Sequence, residues 1–234
     1  MSLLSIHNAS TGYSNKQVLF DVSMDVEKGD AVLLVGSNGS GKSTLLKLIY
    51  GLVDVWQGSV EYDGEVLHNR EKKAPTHTLL NRGIMYVPQK NELFDDVSVL
   101  ENLQFSLLHL NNRKESTKRI EEVMEEIPLL KERRKQTAGR LSGGERKMLA
   151  LGMVMVNRPT LLLYDEPLAG LSEEKIPDML DLLGRIREQG TTMMVVEHHV
   201  TEMMPFVDKI FGMRLGHMPN ESLKTLEEIK RVLV

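Results

Sequence analysis

The chain has 234 residues, 41% hydrophobic and 26% charged, the balance of one large globular domain or a domain with an inserted subdomain, not of a disordered or fibrous chain. Lys and Arg number 29 against 33 Asp and Glu, a net charge of −4 without the basic excess of many nucleic-acid binders, so no nucleic-acid partner is expected. With no cysteine, a disulfide scaffold, Cys-ligated zinc and thiol catalysis are excluded, and the 14 Met read as flexible core filler.

Residues 1–10 show no basic flank leading into an apolar stretch, so no secretory signal is expected there. The longest apolar runs, such as 31–35, fall far short of the roughly 18 residues that span a bilayer. Apolar and polar residues alternate over 3–7 and 18–26, with turn residues at 11–15 and 28–30, which predicts an antiparallel strand layer in the first 65 residues. The continuous run 31–35 predicts a buried parallel strand, and helical spacing follows over 43–51 after a Gly-rich turn. Residues 66–82 are polar, contain Pro75 and predict a connection with one short helix, whereas 84–87 read as a strand before Pro88. From 98 to 157 the chain is rich in Glu, Lys, Arg and Leu, broken at Pro128 and at 137–144, and predicts a helical subdomain. Strands at 160–164, 191–196 and 207–211 then alternate with a helix over 173–188 and a short one at 201–204, as in a parallel α/β sheet. The tail 221–234 reads as an amphipathic helix.

Gly36-Ser37-Asn38-Gly39-Ser40-Gly41-Lys42-Ser43 fits G-x-x-x-x-G-K-[ST] between a predicted strand and a predicted helix, with Thr44 next in the helix. Glycines let backbone N–H groups turn inward around phosphate oxygens, and the helix N-terminus adds partial positive charge. Lys42 supplies a cation and Ser43 a hydroxyl for Mg²⁺. The expected fold class is therefore α/β: a P-loop NTPase core with a mainly parallel sheet, an N-terminal antiparallel β-layer and an inserted helical subdomain. Residues 1–234 form one domain in that reading, with 1–97 and 158–234 as the nucleotide-binding core and 98–157 as the helical part.

The run 161–164 ends in two adjacent acids, Asp165 and Glu166. Neighbours on a strand point to opposite sides, so the two have different tasks: Asp165 to hold Mg²⁺, Glu166 to accept a proton from an attacking water. The plainer alternative is a helix N-cap ahead of Pro167. Farther upstream, Leu141-Ser142-Gly143-Gly144-Glu145 has capping-box spacing between Ser142 and Glu145. Its two glycines open the helix start to a second anion.

These motifs, in this order, resemble those of ATP-binding cassette (ABC) ATPases, with 141–145 as the family's signature, and the resemblance runs from about residue 3 to 216. It implies that Tyr13 stacks on adenine, that Gln89, in Tyr86-Val87-Pro88-Gln89, touches Mg²⁺ and the attacking water, and that His198 contacts the γ-phosphate. ATP and Mg²⁺ are the implied cofactors. Two cassettes, identical or different, would pack head to tail, each signature closing over the other's ATP. The forms around Asp165, Gln89 and Gly144 are similar to the branch that serves branched-chain amino acid uptake. Departures are Ser172, where many members carry an aspartate, His199, where an acid is common, and Met153, where that branch often has arginine. The resemblance further implies integral-membrane permease subunits as partners, a cytoplasmic location on the inner face of the membrane, and 91–103 near the groove for the permease's coupling helix. A soluble ATP-driven switch in translation or DNA repair is the second reading, although such members usually carry two cassettes or a long coiled coil.

Overall fold

The computed structural model describes residues 2–90, 93–219, 222–223 and 225–233. Two long strands, β1 (Ser2–Tyr13) and β2 (Lys16–Glu27), pair antiparallel and form one sheet with β4 (Gln57–Tyr62) and β5 (Glu65–Asn69), in the order β2-β1-β4-β5. The expectation of a mere connection from residue 66 is corrected here, because β5 is paired with β4 as far as Asn69. The cause is the two-residue turn Asp63-Gly64, at φ of 51° and 77°, a conformation in which glycine carries no steric cost and which matches the twist of a hairpin. Within the rest of that segment lie α2 (Thr76–Leu79) and a 3₁₀ turn, as the single short helix predicted.

The second sheet is five-stranded and parallel, ordered β6-β7-β8-β3-β9, from β3 (Ala31–Val35), β6 (Ile84–Val87), β7 (Leu161–Asp165), β8 (Thr192–Val196) and β9 (Lys209–Gly212). Its strands are mostly apolar because both faces are covered, and the two-residue period sorts the side chains between them. Val32, Leu34, Leu161 and Leu163 pack with the antiparallel sheet and with α1 (Lys42–Ile49). Leu33, Val35, Leu162 and Tyr164 face the other way, into a core shared with α3 (Val99–Ser106), α4 (Arg113–Glu126), α6 (Gly143–Asn157) and α7 (Ile176–Glu188). Each such fully buried leucine contributes on the order of 1.5–3 kcal/mol.

Between residues 98 and 157 the structure holds α3, α4, α5 (Pro128–Glu132) and α6, with Pro128 at the start of α5, where its missing N–H costs nothing. The 173–188 helix begins as a 3₁₀ turn before α7, and α8 (Val200–Met203) and α9 (Leu226–Leu233) complete the chain. Of the 221–234 helix predicted from sequence, 222, 223 and 225 lie outside α9, and 221, 224 and 234 lie outside the described residues. No helix among the described residues is long and apolar enough to cross a membrane.

Candidate active site

The carboxyl ends of β3, β6, β7 and β8 all point to one edge of the parallel sheet, and the loops leaving them carry the P-loop, Gln89, Asp165 with Glu166, and His198. In an open parallel sheet this is the edge where ligands bind.

The loop from Gly36 to Ser43 joins β3 to α1, and Gly41 at the helix N-cap has φ of 108°, which a side chain would strain. Lys42 is buried and curls over its own loop, donating to the Gly36 carbonyl at 2.8 Å and the Ser37 carbonyl at 3.1 Å. Burial pushes its pKa down, and the charges of Glu166 and then Asp165 pull it back up. Ser37 also accepts from the Ser40 N–H, while Asn38 and Gly39 are exposed at the loop's tip. The Ser40 hydroxyl is buried without a partner among the described residues. At the far end, the Tyr13 hydroxyl lies 3.4 Å from that of Thr44, leaving the Tyr13 ring 45% exposed above the helix start.

Asp165 falls on the Leu161 and Leu163 face of β7, the face covered by α1, and accepts from the Ser43 hydroxyl at 3.1 Å. Burial raises its carboxyl above the usual aspartate range, against the Ser43 bond. Glu166, one residue beyond the strand, adopts φ of 55° and turns elsewhere. One of its carboxylate oxygens accepts from the Gln89 side-chain amide, and the other lies 3.3 Å from Nε2 of His198. The adjacent His199 faces away, 3.9 Å from Glu202, so of the two histidines it is His198 that meets the acid. Among the described residues no group of three or more His, Cys, Asp or Glu is placed to hold a metal ion. The neighbouring oxygens of Ser43 and Asp165 still fit a hard cation that draws its remaining ligands from water and phosphate.

Ser142 caps α6 through the expected capping box: its hydroxyl accepts from the Glu145 N–H at 3.4 Å, and Glu145 accepts from the Ser142 N–H at 2.8 Å. That backbone bond lowers the Glu145 pKa. Among the described residues outside the local helix backbone, a Cβ added at Gly143 would meet nothing within 4 Å, and one at Gly144 would touch only Leu171, at 3.8 Å. Packing within the chain therefore does not require either glycine. Ser142, Gly144 and Glu145 line a cleft of about 910 Å³ with Gly170, Leu171 and Ser172, and no P-loop residue borders it. The P-loop, Asp165, Glu166, Gln89 and His198 thus converge, while the 142–145 turn stands apart.

Two further residues were not singled out from the sequence. Lys147 on α6 donates to the backbone carbonyl of Glu166 at 3.4 Å. Glu197, 1% exposed, sits at the end of β8 with both carboxylate oxygens engaged by backbone N–H groups. An acid closing an apolar strand run, the pattern that marks Asp165 and Glu166, was its visible signal.

Residues 19–169 match the family described as ABC transporter. The chain is 35% identical over 216 residues to the high-affinity branched-chain amino acid transport ATP-binding protein BraG of Pseudomonas aeruginosa, covering 92% of this chain and 91% of that protein. It is 30% identical to the lipopolysaccharide export system ATP-binding protein LptB of Haemophilus influenzae, covering 99% and 97%. The crystal structure of an ATP-binding cassette of an ABC transporter in its ADP conformation superposes with a TM-score of 0.83 at 28% identity, over 100% of this chain and 95% of that one. With its P-loop and carboxylates at one sheet edge, the chain belongs to the ABC transporter family, as a nucleotide-binding ATPase cassette.

Proposed function

We propose that this cassette powers uptake of branched-chain amino acids or a similar small polar solute through separate integral-membrane permease subunits, from the cytoplasmic face of the membrane. The observation that carries the catalytic part is the convergence of Gln89 and His198 on the carboxylate of Glu166, beside Lys42 and Asp165. The likeness to BraG favours the solute class, and the likeness to LptB makes lipid export the rival to be tested.

In this reading Tyr13 stacks on adenine and the 36–44 segment cradles the phosphates, with Lys42 exchanging its carbonyl partners for phosphate oxygens. Ser43, Asp165 and Gln89 would hold Mg²⁺, which supplies charge neutralisation on the phosphates. Glu166 takes the proton of the attacking water, and His198 holds the γ-phosphate side of the site. Residues 98–157 act as a helical unit that presents Ser142, Gly143, Gly144 and Glu145 to the ATP of a second cassette packed head to tail. The unfilled space at Gly143 supports this, since that space suits a ligand from outside the chain.

Permease docking is assigned to the surface after Gln89. Asn91 and Glu92, the start of the segment expected near the coupling helix, lie outside the described residues. Beyond them Phe94 is 56% exposed and packs edge-on against Phe105, with Leu108 73% exposed nearby in sequence. An apolar surface of this kind suits a partner's amphipathic helix. The decisive experiment is purification from membranes: co-purification of integral-membrane subunits, with ATPase activity stimulated by leucine, isoleucine or valine and a binding protein, is the expected result. A chain that hydrolyses ATP and never associates with membranes would favour the soluble switch.

A further inference from the structure

We infer that Glu197 is a positioning residue that sets the distance between Glu166 and His198 and ties both to the loop bordering the signature cleft. The inference rests on the roles proposed above for Glu166 and His198.

Glu197 follows the apolar buried face of β8 made by Met193 and Val195, where a carboxylate is expensive unless hydrogen-bonded. Its partners account for it. Oε1 accepts from the Leu168 N–H at 2.6 Å, while Oε2 accepts from the His198 N–H at 2.8 Å and the His199 N–H at 3.2 Å. Such charge-assisted bonds are roughly twice as strong as neutral ones. Leu168 lies two residues past Glu166, in a turn closed by the Ala169 N–H to the Glu166 carbonyl and the Leu171 N–H to the Leu168 carbonyl. The Glu166 N–H in turn bonds the Val196 carbonyl at 2.9 Å. One buried side chain therefore spans the segment that carries Glu166 and the segment that carries His198, whose Nε2 lies 3.3 Å from Glu166. The same turn runs on through Gly170 and Leu171 to Ser172 in the cleft wall beside Ser142 and Gly144. Displacement of that wall by a second chain would reach His198 through Glu197, a route that does not use an aspartate at position 172.

Glutamine is the discriminating replacement because it keeps the shape and offers one acceptor oxygen, so it can serve Leu168 or the two histidine amides but not both. In Glu197→Gln, kcat is expected to fall roughly 100-fold, the loss typical of a catalytic group misplaced by about 1 Å, with ATP affinity within about threefold of the parent. Amide hydrogen exchange at Leu168 or His198 should accelerate. In Glu166→Gln hydrolysis should be lost while both amides stay protected. A Glu197→Gln chain with near-parental kcat, or one losing ATP affinity in step with kcat, would overturn the proposal. So would fast exchange at Leu168 and His198 in the unmutated protein, a measurement that needs no variant. If Glu166→Gln itself hydrolyses ATP normally, the assignment of the base fails, and the exchange pattern alone decides for or against the brace.

Discussion

Nε2 of His198 lies 3.3 Å from one carboxylate oxygen of Glu166, and the side-chain amide of Gln89 donates to the other. The three residues follow three neighbouring strands, β8, β7 and β6, so the central acid is held from both sides. A carboxylate fixed in this way keeps its orientation before substrate arrives, which is the preorganisation a general base requires.

Glu166→Gln keeps the size of the side chain and removes its ability to take a proton. Turnover is expected to fall by roughly 10² to 10⁴-fold, while ATP binding survives. Steady-state hydrolysis together with nucleotide titration checks this, and near-normal turnover would remove Glu166 from the role.

Lys42 is a buried cation whose charge is disfavoured by desolvation and two of whose three hydrogens go to loop carbonyls. Phosphate oxygens answer both conditions better than carbonyls, because they bring negative charge. Lys42→Ala should therefore weaken ATP binding, by on the order of tenfold or more, as well as hydrolysis. Unchanged affinity by calorimetry would contradict it.

Much of this site was legible in the sequence because its parts are short and locally constrained. The continuous apolar run 31–35 suits a buried strand, and the glycine spacing up to Lys42 follows at the end of that strand, where a phosphate loop is expected. Ser142 and Glu145 announced their capping box through spacing alone. Strand β5 was missed because Val66 and Leu67 are a short apolar pair in polar surroundings, although Asp63-Gly64 was a hairpin signal in plain view. Glu197 was missed for a different reason. Its place at the end of an apolar strand run is visible in the sequence, but its partners are not: they are backbone amides, one of them 29 residues earlier in the chain.

The Phe94 and Phe105 rings meet at 5.7 Å, nearly perpendicular, on the surface after Gln89. Buried Asn102 fixes the segment by accepting from the Phe94 N–H and donating to its carbonyl. The backbone beneath this apolar patch is thus anchored to α3, which suits docking. Phe105→Ser should leave hydrolysis by the isolated chain within about twofold and abolish retention on permease-containing membranes, because exposed side chains contribute little to the fold. Retention equal to that of the parent would move the docking surface elsewhere.

Two chains are expected to share one site. The P-loop converges with Asp165, Glu166, Gln89 and His198, whereas Ser142, Gly144 and Glu145 line a separate cleft. A helix start with two glycines that no contact among the described residues requires is surplus to a site on one side of the nucleotide. It would gain a use by closing over the γ-phosphate of another cassette, so that ATP would bridge the pair and hydrolysis would release it. Lys42→Ala and Ser142→Arg should each abolish hydrolysis, the first by losing the phosphate cation and the second by filling the space above the capping box. In a mixed dimer one composite site keeps both an intact P-loop and an intact signature turn, while the other has lost both. If one intact site suffices, each mixed dimer should recover at most about half the parental rate when both parental sites work equally, and a random equal mixture, in which half the dimers are mixed, about a quarter. Absence of recovery despite demonstrated mixed dimers would mean that the two sites must fire together. A monomer whose specific rate does not change with protein concentration would rule out the shared site itself.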